Sequence, residues 1–135
     1  MKALILQFLR FGVVGTLGFL VDAGTLLLAV VLGAGPYGGR AISYLVAASA
    51  VYALNRAWTF KDRQSGAPVA RQWGAYLVLN LIGFAANYGT YAALVAWTEI
   101  GARHLALSVA AGSIAGMFIN FAIARQLIFR PAPAG

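Results

Sequence analysis

The sequence predicts an all-α membrane protein with four transmembrane helices, arranged as two helical hairpin repeats of the same orientation with both termini cytoplasmic. Three observations predict it. Of the 135 residues, 61% are hydrophobic and only 10% charged, with a mean hydropathy of +0.81, far from the balance of a water-soluble domain. The apolar residues gather into runs close to the ~20 that a helix rising about 1.5 Å per residue needs to cross the hydrocarbon core. The second half of the chain also repeats the polar landmarks of the first.

The first span is expected over residues 11–32, interrupted only by Asp22, and the stretch "GAGPYGG" that follows carries Pro36 and several glycines as turn signals. The second is expected over 41–58, the third over 73–97 and the fourth over 105–124. The opening "MKALILQFLRFGVVG" outlasts a signal-peptide core and has no convincing small-residue cleavage site, so it is read as part of the mature protein. The hydrophilic stretch "KDRQSGAPVAR" divides a single domain, 1–135, into hairpin one (10–60), a linker (61–72) and hairpin two (73–130).

Placing the linker in the cytoplasm puts Lys2, Arg10, Arg56, Lys61, Arg63, Arg71, Arg125 and Arg130 on that side and leaves Arg40 and Arg103 on the other, eight against two. The net charge of +7 is thus explained by topology and not by nucleic-acid binding, because the cations are not gathered on a polar surface. With no cysteine and one histidine, neither thiol chemistry nor a histidine metal cluster is expected. The carboxylates Asp22, Asp62 and Glu99 fall at three different depths, so no acid–base pair converges. No phosphate loop or serine-nucleophile motif is present, so the chain is read as a non-enzyme without a cofactor.

"GFLVDAGT" at 18–25 aligns with "GFAANYGT" at 83–90, matching Asp22 with Asn87 at an offset of 65. "VYALNRAWTF" at 51–60 aligns with "NFAIARQLIF" at 120–129, matching Arg56 with Arg125 and Phe60 with Phe129 at an offset of 69. The difference is about one helical turn. On the fourth span Ser108, Gly112, Gly116, Asn120 and Ala124 recur every four residues; on the second, Ser43, Ala47, Val51 and Asn55 form the equivalent stripe. Thin faces of this kind let helix backbones approach in lipid.

Asp22 lies roughly 18 Å along the helix from Arg10, near the membrane midplane, and Asn87 lies roughly 21 Å from Trp73. Groups so costly at that depth are expected at an interface or wet cavity, with a hydrogen bond between the two an option. Arg56 and Arg125 lie too far below Asp22 to pair with it and need another anion, for which a lipid phosphate fits the planar guanidinium fork, with Asn55 as a neutral amide donor beside it.

"RFGVVGTLGFLVDAG", "NRAWTF" and "FINFAIARQLIF" together resemble the GtrA-like family of small bacterial membrane proteins, over nearly the whole chain. The resemblance implies a four-span inner-membrane protein that moves polyprenyl-phosphate-linked sugars, such as undecaprenyl-phosphate glucose, for cell-surface polysaccharide synthesis or modification. By position it carries over Asp22, the Asn55–Arg56 pair and Arg125. The second copy has Ala124 where an Asn is common and "QLIF" in place of the aromatic ending, so the first hairpin is expected to dominate. The candidate substrate-binding set is Asp22, Asn55, Arg56, Lys61, Asn87, Asn120 and Arg125. The expected partners are a polyprenyl-phosphate carrier, membrane lipids, a second copy in a homodimer joined through the small-residue stripes, and a glycosyltransferase docked on the linker. Two other functions fit the residues: a proton-coupled exporter of small cations using Asp22, and a non-transporting subunit that supports a glycosyltransferase or carrier-lipid recycling.

Overall fold

The structure, a computed structural model, describes residues 1–134. Its helices run in the order α1 (Lys2–Val31), α2 (Gly35–Leu54), a π-helical turn π1 (Asn55–Thr59), α3 (Val69–Trp97), the short α4 (Glu99–Arg103), α5 (Leu105–Ile123) and a second π-helical turn π2 (Ala124–Ile128). No strand occurs among the described residues. Two compact units result, one of residues 1–73 with residues 129–134, the other of residues 74–128.

Among the described residues three helices are long and apolar enough to cross a membrane: Lys2–Val31, Val69–Trp97, and Leu105–Ile128, in which α5 continues through π2. The second expected span corresponds to α2, 20 residues long, which is about 30 Å of helix. It falls outside that group because it opens with "GPYGGR", a weakly apolar turn ending in a cation.

The same stretch corrects the expected turn. Only residues 32–34 leave the helices, with Gly33 (φ 96°) and Gly35 (φ 72°) in the left-handed region that glycine enters without a β-carbon clash. Pro36 belongs to the first turn of α2, where its missing N–H would have had no helical partner. Gly39 lies inside α2 and faces Leu26, Ala29 and Val30 of α1 at close range.

Each unit packs its helices through a glycine and a small-residue stripe. In the first, a β-carbon on Gly18 would overlap Val51, and Ser43 and Ala47 of the same stripe are buried. In the second, a β-carbon on Gly83 would overlap Asn120, while one on Gly116 would meet the Gly83 carbonyl at 2.9 Å and Asn87 Cβ at 2.9 Å. Gly18 and Gly83 differ by the 65-residue offset of the sequence repeat, and Val51 and Asn120 by the 69-residue offset, so equivalent positions make equivalent contacts. Phe19 and its counterpart Phe84 point outward, 68% and 67% exposed. The stripes expected to join two copies of the chain are therefore buried within each hairpin, because backbone approach inside a hairpin already uses their small size.

The first unit has an aromatic core at its linker end. Phe60 stacks on Phe129 with centroids 4.8 Å apart, Phe129 stacks on Tyr52 at 5.9 Å, and Phe11 meets Phe60 edge-on at 6.2 Å.

Gly116→Val should lower the stability of the detergent-solubilised protein by about 1–3 kcal/mol, the usual penalty of overpacking. Gly15→Ala, at a site with open space around it, should leave the thermal midpoint unchanged or slightly raised. Thermal unfolding followed by circular dichroism checks both.

Candidate functional site

The wide turn π1 decides where the side chains at the end of α2 point. Its i→i+5 bond, Phe60 N to Asn55 O at 2.8 Å, adds about one residue per turn relative to an α-helix. Residues i, i+4 and i+5 then share a face. Asn55, Thr59 and Phe60 are accordingly all buried, 0%, 1% and 0% exposed, and the Thr59 hydroxyl donates to Asn55 Oδ1 at 2.8 Å. Arg56 is left on another side of the turn, half-buried. In π2 the pattern recurs, with Ala124, Ile128 and Phe129 buried and Arg125 half-buried in the position equivalent to Arg56.

Beyond Phe60 the chain turns into the linker, and Gln64 folds back over the helix end. Its Nε2 donates to the carbonyls of Arg56 (3.2 Å), Phe60 (3.1 Å) and Lys61 (3.4 Å), adding to the backbone bond that the Phe60 carbonyl accepts from Arg63 N at 2.9 Å. Its Oε1 accepts from Arg56 Nη1 at 2.6 Å. From the start of α3, buried Gln72 presents Oε1 to both the Tyr52 hydroxyl (2.7 Å) and Arg56 Nη1 (3.3 Å), while its Nε2 donates to Ser65 Oγ at 3.1 Å.

These groups border an open groove of about 430 Å³ lined by Tyr52, Ala53, Arg56, Ala57, Gln64 and Val69. Every hydrogen-bond partner of the Arg56 guanidinium there is a neutral amide oxygen, and among the described residues no carboxylate forms an ion pair with it. Its charge thus remains uncompensated beside an apolar wall, where water screens it less than in bulk. A planar fork of donors in that setting suits an anion with oxygens in pairs, such as a phosphate.

The other sequence candidates divide. Lys61 is exposed just beyond π1, at the start of the linker, and does not line the groove. Asn55 is sealed beneath Arg56 and supports the π turn instead of facing the groove. Asp22 accepts from Arg40 Nη1 through Oδ2 at 2.6 Å, while its Oδ1 is buried with no hydrogen-bond partner. Asn87 packs against Gly112 and Gly116, and Asn120 packs against Gly83 with its Oδ1 buried and without a partner. Asp22 and Asn87 each find a neighbour within their own hairpin.

Sequence reasoning placed Arg40 among the interfacial cations and missed it as the partner of Asp22, 18 positions away. A signal existed: a carboxylate in an apolar span needs a counter-ion, and Arg40 is the one cation in the rest of that hairpin's turn and facing helix before Arg56. Gln64 and Gln72 were passed over as linker polarity, and nothing in their spacing marks them. Arg10 also contributes, with its guanidinium carbon 5.6 Å from the Trp58 ring centroid, a distance at which the ring face attracts a cation.

The family model described as the GtrA/DPMS transmembrane domain matches residues 10–129. The chain belongs to this family. The match begins at Arg10, over Trp58, and closes at Phe129, in the aromatic core, so it takes in every residue of the groove. As a GtrA/DPMS transmembrane-domain protein it is a membrane protein connected with polyprenyl-phosphate-linked sugars, from a family that is generally non-catalytic.

Arg40→Met should destabilise the protein by about 1–2 kcal/mol, because it leaves a largely buried carboxylate without its counter-ion. Adding Asp22→Asn should restore at least half of the loss, a coupling that a double-mutant cycle of melting temperatures reads directly.

Proposed function

We propose that this GtrA/DPMS protein translocates a polyprenyl-phosphate-linked sugar, such as undecaprenyl-phosphate glucose, across the bacterial inner membrane for cell-surface polysaccharide synthesis or modification. The observation that carries this reading is the Arg56 guanidinium, held at a groove by neutral carbonyls alone. In this reading all four long helices span the bilayer as two hairpins of one orientation, with both termini and the linker in the cytoplasm. The groove then opens at the level of the inner-leaflet head groups.

The carrier phosphate is captured by Arg56, with Asn55 fixing the turn that aims it and Lys61 adding attraction from the linker. Arg125 is the weaker counterpart in the second copy. Asp22, Asn87 and Asn120 offer hydroxyl-binding polarity at greater depth, easing passage of the sugar while the isoprenoid tail stays in lipid. No covalent step is involved, so the protein is a transporter and not an enzyme. A homodimer supplies eight helices around the path, and its contacts fall on outward apolar faces, since the small-residue stripes are buried. The exposed cations of the linker give a glycosyltransferase a place to dock.

The Asp22–Arg40 pair weighs against the cation-exporter reading, because a carboxylate already neutralised by a guanidinium offers little attraction to a second cation. A supporting subunit without transport of its own is separated by assay of the purified protein alone.

In proteoliposomes holding only this protein, Arg56→Ala should slow flipping of a polyprenyl-phosphate sugar at least tenfold, and Arg56→Lys should fall between it and the wild type, since an ammonium cannot make the paired contact. An Arg56→Ala rate within twofold of wild type contradicts the assignment.

A further inference from the structure

Gln64 is the residue whose contacts the groove leaves without a stated purpose. It is an exposed linker residue, yet it makes four hydrogen bonds, and the shortest, 2.6 Å, is to the Arg56 guanidinium. The other three tie its amide nitrogen to the carbonyls at the end of π1. Its carbonyl oxygen is thereby held at one edge of the guanidinium, inside the lining of the same groove. An amide carbonyl is a neutral acceptor, whereas a phosphate oxygen adds ionic attraction and lets the guanidinium bond in pairs. Gln72 also accepts from Arg56, but it is buried and committed to Tyr52 and Ser65, so it stays in place when the groove fills. Gln64 stands in an irregular segment, residues 63–68, and has no such backing.

We propose that Gln64 is a built-in stand-in for the ligand phosphate: its amide oxygen holds the Arg56 guanidinium in position while the groove is empty, and a phosphate oxygen takes its place on binding. This rests on the reading of the groove as the phosphate site. The device has two consequences. The guanidinium is kept ordered and aimed without being neutralised, and ligand affinity is set by the difference between an amide oxygen and a phosphate oxygen at one position. A carboxylate at position 64 would remove that difference, because it would pair with Arg56 and match the charge of the ligand. Residue 64 therefore tunes affinity without belonging to the grip itself.

The test titrates farnesyl phosphate, with inorganic phosphate as a parallel arm, onto the detergent-solubilised full chain by calorimetry. Gln64→Ala and Gln64→Glu both lose the amide donors to π1, so the difference between them isolates the acceptor facing Arg56. Gln64→Ala should bind farnesyl phosphate about threefold to tenfold tighter than wild type, and Gln64→Glu at least tenfold weaker. Gln126→Glu, which adds the same charge outside the groove lining, should stay within twofold. Melting temperatures of the empty variants give a second reading: Gln64→Glu should melt above Gln64→Ala, through its ion pair with Arg56. If Arg56→Ala abolishes binding while both Gln64 variants bind as wild type does, the stand-in role is overturned and the phosphate site survives. If Gln64→Glu weakens binding no more than Gln126→Glu, the stand-in role is likewise overturned. Binding unaffected by Arg56→Ala overturns the groove assignment itself. Weakening that appears equally with inorganic phosphate assigns the site to the phosphate group; weakening confined to farnesyl phosphate assigns it to the lipid-linked form, and in both cases the exchange with Gln64 stands.

Discussion

A guanidinium held through one nitrogen by neutral amides, with its charge unpaired, is the constraint on which the rest of this structure depends. Arg56 Nη1 finds acceptors in Gln64 and Gln72, so one end of the guanidinium is held in place beside an apolar wall. Neither acceptor carries charge, so the electrostatic attraction for an outside anion is preserved. Arranging this requires a helix end that buries three consecutive-turn neighbours, Asn55, Thr59 and Phe60, while turning Arg56 away from them. A regular α-helix does not align i, i+4 and i+5 in this way, and the π turn does. The buried hydrogen bond from Thr59 to Asn55 and the stacking of Phe60 on Phe129 hold that turn in place.

The two hairpins share packing and differ in charge. Gly18 against Val51 and Gly83 against Asn120 are the same contact made twice, and both copies close with a π turn carrying an arginine as its second residue. Lipid gives helices no hydrophobic reason to associate, so close backbone approach at glycine is the common stabilising feature. What separates the copies is polar. The first hairpin holds a carboxylate–guanidinium pair, Asp22 with Arg40, and presents Arg56 to a groove; the second has Asn87 fitted among glycines where the first has Asp22. The contrast between Arg40 and Arg56 within one hairpin is equally informative, since one guanidinium is neutralised by a carboxylate and the other is held by amides. Only the second keeps a strong attraction for an added anion.

Much of this was legible in the sequence, and the reasons for the remainder are physical. Composition and run length identify a helical membrane protein because the hydrocarbon core imposes both. The glycine stripes were readable as packing faces, but which helix they meet depends on hairpin geometry, and they pack within each hairpin. "GAGPYGG" overstated the break, since proline and glycine are tolerated in a first helical turn and only Gly33 and Gly35 take positive φ. Arg56 was singled out as a charge in need of an anion, and among the described residues it has no carboxylate partner. Its amide partners were not, because Gln64 reaches back across a linker whose path no periodicity encodes. The π turns have no residue signature of their own, although the paired "NRAWTF" and "ARQLIF" blocks pointed to the places where they occur.

The most direct measurement of the central claim is native mass spectrometry of the protein extracted from membranes with its bound lipids, comparing wild type with Arg56→Ala and Arg40→Met. The account predicts a polyprenyl phosphate, bare or sugar-linked, retained on the wild type and on Arg40→Met and absent from Arg56→Ala. Retention of the same lipid at the same occupancy on Arg56→Ala would contradict it.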